Sequence, residues 1–135
     1  MRGATKTSVL IVDDDPPILL VSRLSLERNG EFEVRVARSA AEALQELETG
    51  VFDVIVSDYR MPLVNGIEFL AMTRSQDTAI PFILFTSMAR RHFNPSLFDG
   101  VLTWYLSKEE GLADSCAALA HTIRCACEAS GRNRG

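Results

Sequence analysis

The chain has 135 residues, 47% of them hydrophobic, and a net charge of −4 at pH 7. That length fits one domain with an ordinary apolar core, and the acidic balance argues against an overall basic surface for nucleic acid. No apolar run is long enough to span a bilayer and residues 1–10 lack a signal-peptide core; the odd set Cys116, Cys125 and Cys127 then points to reduced thiols in a cytoplasm.

In chain order, "SVLIV" (8–12) reads as a buried strand that runs into three aspartates. "PPILLVSRLSLERNG" (16–30) carries Leu and Val at helical spacing. Pro16 and Pro17 stand at its start, and Asn29 and Gly30 close it. Asp15 is placed to cap this helix. "FEVRVA" (32–37) alternates as a half-buried strand does. "SAAEALQELETG" (39–50) pairs Ser39 with Glu42 in a capping-box spacing, and Gly50 ends it. "FDVIVS" (52–57) is a third strand and "GIEFLAMTRS" (66–75) a short helix. "IPFILFT" (80–86) and "LTWYLS" (102–107) complete the strands. Between them, residues 87–100 are expected to hold a helix that starts late, because Pro95 bars a continuous one; Asn94 would cap it and Gly100 follow it. "LADSCAALAHTIRCACEA" (112–129) is a closing helix with Leu112, Cys116, Leu119, Ile123 and Cys127 on one stripe. Residues 1–7 and 130–135 are expected to be loose, leaving 8–129 as the domain.

Near-continuous apolar strands alternating with helices predict an α/β fold, a parallel sheet covered on both faces. Such sheets bind ligands at the carboxyl ends of their strands. The polar residues expected at that edge are Asp13, Asp14 and Asp15, then Ser57 and Asp58, Thr86 and Ser87, and Ser107 and Lys108. Several carboxylates in one cleft repel one another, and a hard divalent cation such as Mg²⁺ resolves the repulsion. An aspartate there can act as a nucleophile and accept a phosphoryl group. Asp58 is the candidate acceptor, with Lys108 and Thr86 to meet phosphoryl oxygens.

"VLIVDDDP", "DVIVSDYRMPLVNG", "PFILFTS" and "WYLSK" together resemble the successive motifs of the response-regulator receiver domain of two-component signalling, from about Ser8 to Glu128. The resemblance implies a flavodoxin-like five-stranded sheet in the order 2-1-3-4-5, flanked by five helices. It implies that Asp58 is the phospho-acceptor and that Asp13 and Asp14 hold Mg²⁺, with Asp14 favoured as the direct ligand. Arg60 would offer its backbone carbonyl to the metal. Thr86 and Tyr105 take the switch positions, and Lys108 the family's lysine. The implied partners are a sensor histidine kinase and a downstream effector or a separate output domain, with no direct contact to nucleic acid or membrane. The face of the fourth and fifth helices is the candidate for homodimerisation. The chain would be no enzyme beyond catalysing its own phosphorylation and dephosphorylation. "SDYRMPLVNGIEFL", "IPFILFT" and "ALAHTIRCACE" are further similar to receivers of methanogenic archaea.

Two features depart from the pattern. Glu109 follows Lys108 where many receivers carry a proline after a cis peptide, which leaves the conformation of that bond open. "MARRHFNPSLF" (88–98) is unlike the family's fourth helix. It favours an alternative reading, a pseudo-receiver that binds partners without phosphate. A phosphohydrolase with an Asp nucleophile would need a second acid two residues on, and Arg60 stands there. The cysteines read as small hydrophobes, since Cys125 and Cys127 point to different helix faces, and His92 and His121 read as surface residues without companions at ligand spacing.

Overall fold

The computed structural model describes residues 6–77, 79–108 and 111–131. Five strands form one parallel sheet in the order β2-β1-β3-β4-β5. They are β1 (Thr7–Val12), β2 (Phe32–Ala37), β3 (Val54–Ser57), β4 (Phe82–Thr86) and β5 (Thr103–Ser107). Four α-helices flank them: α1 (Pro16–Glu27), α2 (Ala40–Thr49), α3 (Gly66–Gln76) and α4 (Leu112–Ala129). The strand order is the one expected, and Thr7, expected to be loose, pairs with Phe32 at the start of the sheet.

Alternation along the strands explains the two layers. Val9 and Ile11 of β1, Val54 and Val56 of β3, and Ile83 and Phe85 of β4 face α1 and α4, where Leu19, Leu26, Leu119 and Ile123 meet them. Leu10, Val12, Ile55, Phe82 and Leu84 face the other way, onto Ala40, Ala43, Phe69 and Leu70 of α2 and α3. A strand buried on both faces has to be apolar at every position. That is why these strands read as unbroken runs.

The fourth expected helix, within residues 87–100, does not form among the described residues. Residues 87–102 instead make a strap with two short 3-10 turns, Arg90–His92 and Pro95–Leu97. Pro95 drives the preceding Asn94 out of helical geometry, to φ −63° and ψ 121°, so the chain breaks there. Asn94 does cap, accepting from the Ser96 backbone N–H at 3.1 Å, but only one turn follows. Asp99 then ends the run by collecting the N–H groups of Val101, Leu102 and Thr103 at 2.9–3.0 Å. Gly100 reverses the chain at φ 71°. Phe93 drops from the strap into the α2/α3-side core and is 8% exposed. Its ring meets Tyr59, Phe98 and Tyr105 with centroids 5.0–6.4 Å apart.

Three helix ends differ from expectation. The Asp15 side chain caps nothing; its own N–H donates to Asp13 Oδ1 at 3.0 Å. Ser39 caps α2 through Glu42 N, yet Glu42 returns its carboxylate to Arg38 N, not to Ser39. A complete capping box sits on α3, between Asn65 and Glu68. The Lys108–Glu109 peptide lies outside the described residues. No helix of the described residues is long and apolar enough to cross a membrane.

Candidate functional site: an acidic cleft at the strand ends

Four strands deliver the site. β1 ends at Val12 and hands over Asp13 and Asp14; β3 ends at Ser57 and hands over Asp58; β4 ends at Thr86; β5 ends at Ser107, followed by Lys108. Parallel strands all end at one edge, so residues 95 positions apart in sequence meet. The Asp58 backbone N–H donates to the Val12 carbonyl at 3.0 Å, and Lys108 N–H to the Thr86 carbonyl at 3.0 Å. These bonds fix the heights of the side chains along the edge.

The Lys108 ammonium bridges two carboxylates. It donates to Asp13 Oδ2 at 2.6 Å and to Asp58 Oδ2 at 3.2 Å. The Phe85 ring lies 5.2 Å from the same nitrogen and walls off one side. Asp58 Oδ1 accepts the Tyr59 N–H at 2.6 Å. Asp13 is buried, and that burial raises its carboxyl above the ordinary range. The Asp58 charge pushes the same way, while Lys108 and the Asp15 N–H hold it down.

Asp13, Asp14, Asp58, Arg60, Ser87 and Lys108 line one open cleft of about 460 Å³ with Ile18 and Leu112 at its rim. Carboxylate oxygens of Asp13, Asp14 and Asp58 lie within 4.8 Å of one another. One hard cation can touch oxygens that close together, and three carboxylates share the cleft with one ammonium, so the residues fit Mg²⁺. Five expected site residues, Asp13, Asp14, Asp58, Arg60 and Lys108, are therefore brought together. Thr86 and Tyr105 stand off the cleft. The Thr86 hydroxyl is buried and accepts the Met88 N–H at 3.2 Å. The Tyr105 hydroxyl donates to the Met88 carbonyl at 2.7 Å. Met88 thus joins the two through its own N–H and carbonyl, a role no sequence spacing announces. Ile18 and Leu112 at the rim were equally silent; Leu112 read as a core position.

The expectation that the cysteines serve as small hydrophobes holds for Cys116 and Cys127, which are buried. Cys125 is partly exposed, and its sulfur lies 3.6 Å from His121 Nε2. His121 therefore has a companion at ligand spacing, contrary to the expectation from sequence; four residues on a helix is one turn. His92 is exposed, as expected.

Comparison with known proteins agrees with this geometry. Residues 9–120 match the family described as the response regulator receiver domain. The transcriptional regulatory protein PrrA of Mycobacterium bovis is 30% identical over 122 residues, covering 90% of this chain and 52% of PrrA. The chain thus spans about half the length of that relative. The chemotaxis response regulator CheY4 of Vibrio cholerae superposes with a TM-score of 0.74 at 27% identity, covering 88% of this chain and 99% of CheY4. A CheY-like receiver domain of Methanospirillum hungatei gives 0.74 at 25% identity, covering 96% and 100%. The likeness to a methanogen receiver is thus matched by a bacterial one. By sequence, strand order and the acidic edge alike, the chain belongs to the response regulator receiver domains, signalling modules of two-component systems.

Proposed function

We propose that Asp58 accepts a phosphoryl group from the phosphohistidine of a sensor histidine kinase, and that the added charge changes which partner the domain binds. The observation that carries this reading is the single cleft holding three carboxylates and one ammonium, with Lys108 between Asp13 and Asp58. An Asp58 carboxylate oxygen attacks phosphorus. The N–P bond breaks and its electron pair returns to the imidazole. The Tyr59 N–H on Oδ1 fixes the rotation of the attacking carboxylate. Asp13 holds Lys108 in place, and the ammonium turns to the phosphoryl oxygens as charge moves onto them. Asp13, Asp14, Asp58 and the Arg60 backbone carbonyl would hold Mg²⁺, which supplies the remaining positive charge that such transfer requires. The chain acts on no substrate but itself.

The output runs through Thr86 and Tyr105. For the Thr86 hydroxyl to reach a phosphoryl oxygen it must release the Met88 N–H, and Tyr105 holds the other side of the same residue. The partner of the switched state is an effector protein, or an output domain outside this chain. It docks on the strap and α4, a face also open to a second copy. Action in the cytoplasm, without contact to nucleic acid or membrane, follows from this role.

Incubation with Mg²⁺ and acetyl phosphate, read by intact mass, tests the reading. Wild type is expected to gain one phosphoryl group and Asp58→Asn none. Equal gain in both would move the acceptor elsewhere. No gain in either would favour the second reading, a phosphate-independent interaction module, for which the strap in place of a helix speaks.

A further inference from the structure

The outward face of α4 carries chemistry that the phosphorylation site does not use. Ser115, Cys116, Leu119, Ile123, Ala126 and Cys127 of this helix are buried. Asp114, Ala118, His121, Cys125 and Glu128 lie on the opposite side, at spacings of 4, 3, 4 and 3 residues, which is the seam spacing of two helices lying side by side. Cysteine is usually among the most buried residues. Cys125 is only partly so, and it meets the imidazole of His121.

The separation of the two ligand atoms is informative. A tetrahedral Zn²⁺ bound by sulfur at about 2.3 Å and imidazole nitrogen at about 2.05 Å sets those two atoms about 3.6 Å apart. The Cys125 Sγ to His121 Nε2 distance is 3.6 Å. Without metal, that same separation serves a weak thiol–imidazole hydrogen bond. The pair is therefore spaced to take a borderline-soft cation with little movement. The neighbouring Arg124 guanidinium donates to both carboxylate oxygens of Glu31 at 2.7 Å, which offset its charge. The charges left on the seam, Asp114 and Glu128, are acidic and attract a cation.

Two ligands fill half of a tetrahedron. A second copy, related by a two-fold axis, supplies an identical pair, and Ala118 lets the helices approach. We propose that His121 and Cys125 of two copies form a Cys₂His₂ site for Zn²⁺ that joins two chains along α4. On binding, each thiol gives its proton to solvent, two per site, and each imidazole stays neutral. Thiolate ligands favour Zn²⁺ over Mg²⁺, so the seam and the acidic cleft do not compete for the same ion. The two sites share no ligand.

The test uses the full chain under a phosphine reductant, with excess Mg²⁺ to occupy the acidic cleft. Co²⁺ is titrated and followed by its thiolate-to-cobalt absorption, and molar mass is measured by light scattering with and without Zn²⁺. The expected result is saturation at one Co²⁺ per two chains, and a doubling of mass with Zn²⁺ that a chelator reverses. Cys125→Ser is expected to lose both signals, and His121→Gln to weaken binding at least tenfold. Both side chains point away from the core, and unchanged circular dichroism confirms that the variants fold. Saturation at one ion per chain, an unchanged mass with Zn²⁺, or thiolate absorption persisting in Cys125→Ser would each overturn the proposal.

Discussion

Gly66 offers the sharpest test of how the fold supports the acceptor. It is the first residue of α3, and its N–H donates to the Tyr59 carbonyl at 2.8 Å, closing the loop that follows Asp58. A Cβ placed there would press on the Asp58 carbonyl oxygen well inside van der Waals contact, and would touch Leu84 Cδ1 and Tyr59 Cα at 3.0 Å. Two of the three atoms are backbone and cannot swing aside. Gly66→Ala gains up to about 1 kcal/mol of helix propensity. Overpacking against a fixed backbone costs about 3 kcal/mol, at the upper end of its usual range. The net loss is about 2 kcal/mol, or about 6–8 °C in melting temperature for a chain of this size. The same push displaces the Asp58 peptide, whose carbonyl accepts the Ser57 hydroxyl at 2.8 Å. A shift of about 1 Å at a reacting group can cost on the order of 100-fold in rate. Thermal melts and initial rates of phosphorylation by acetyl phosphate are the assays. Gly50→Ala is the control, since its Cβ meets the Phe52 ring at 3.1 Å, at the far edge of the sheet. It is expected to leave the phosphorylation rate unchanged. A melting temperature that stays level or rises in Gly66→Ala would refute the steric reasoning.

Lys108→Ala removes the positive partner of Asp13 and Asp58, and Asp13 is nearly inaccessible. Chemical denaturation at pH 7 is expected to show a loss of about 3 kcal/mol. Because burial already raises the Asp13 carboxyl, this loss is present above its folded pKa and should shrink as pH falls through it; added Mg²⁺ should restore part of it at pH 7. Asp99 behaves in the opposite sense: the N–H groups of Thr103, Val101 and Leu102 lower its carboxyl below 3.8. Its contribution is present above the unfolded value and is lost as pH falls through the lower folded one. Wild type should therefore lose stability below about pH 4 more steeply than Asp99→Asn, which keeps an acceptor and does not titrate. Phe93→Ala should cost about 3 kcal/mol in urea denaturation, as large-to-small changes of a buried ring do, while leaving Asp58 able to take phosphate. Tyr105→Phe should cost only about 1 kcal/mol, the hydrogen bond to Met88.

The sheet was legible because burial on both faces forces an apolar residue at every strand position, and runs as short as residues 54–56, alternating with helical patterns, read as parallel strands. The cleft was legible for a related reason. A charge at the end of a buried strand is costly without a partner, so Asp13, Asp58 and Lys108 announced one another. The strap was not legible. Asn94 and Gly100 carry genuine cap and turn signals, but the same signals fit a single turn, and only Asp99 decides between them, by taking three N–H groups. Asp15 makes no side-chain cap, and Pro16 and Pro17, the first two residues of α1, have no N–H to offer one. The His121–Cys125 contact was present in the spacing but hidden among three cysteines, two of which serve the core.

In the switch proposed for Thr86 and Tyr105, the energetics follow from Met88. Its N–H and carbonyl are held by Thr86 and Tyr105, at 3.2 and 2.7 Å. Each bond is worth about 1 kcal/mol net, so breaking both redistributes about 2 kcal/mol. Moving a two-state equilibrium from 1:99 to 99:1 needs about 5.5 kcal/mol. Those two bonds oppose the move, so the phosphoryl contacts must outweigh them as well. Packing beside them opposes it too: Phe93 is set among Tyr59, Phe98 and Tyr105. Burial of one such ring is worth about 1.5–3 kcal/mol, and a response that unseats it has to overcome that in addition. If Phe93 stays seated, only the residues about Met88 are left to move, and the cost falls back to the two hydrogen bonds. Phe98 of the strap packs on both Phe93 and Tyr105, so in the proposed switch the amplitude is set by how firmly that aromatic cluster is held.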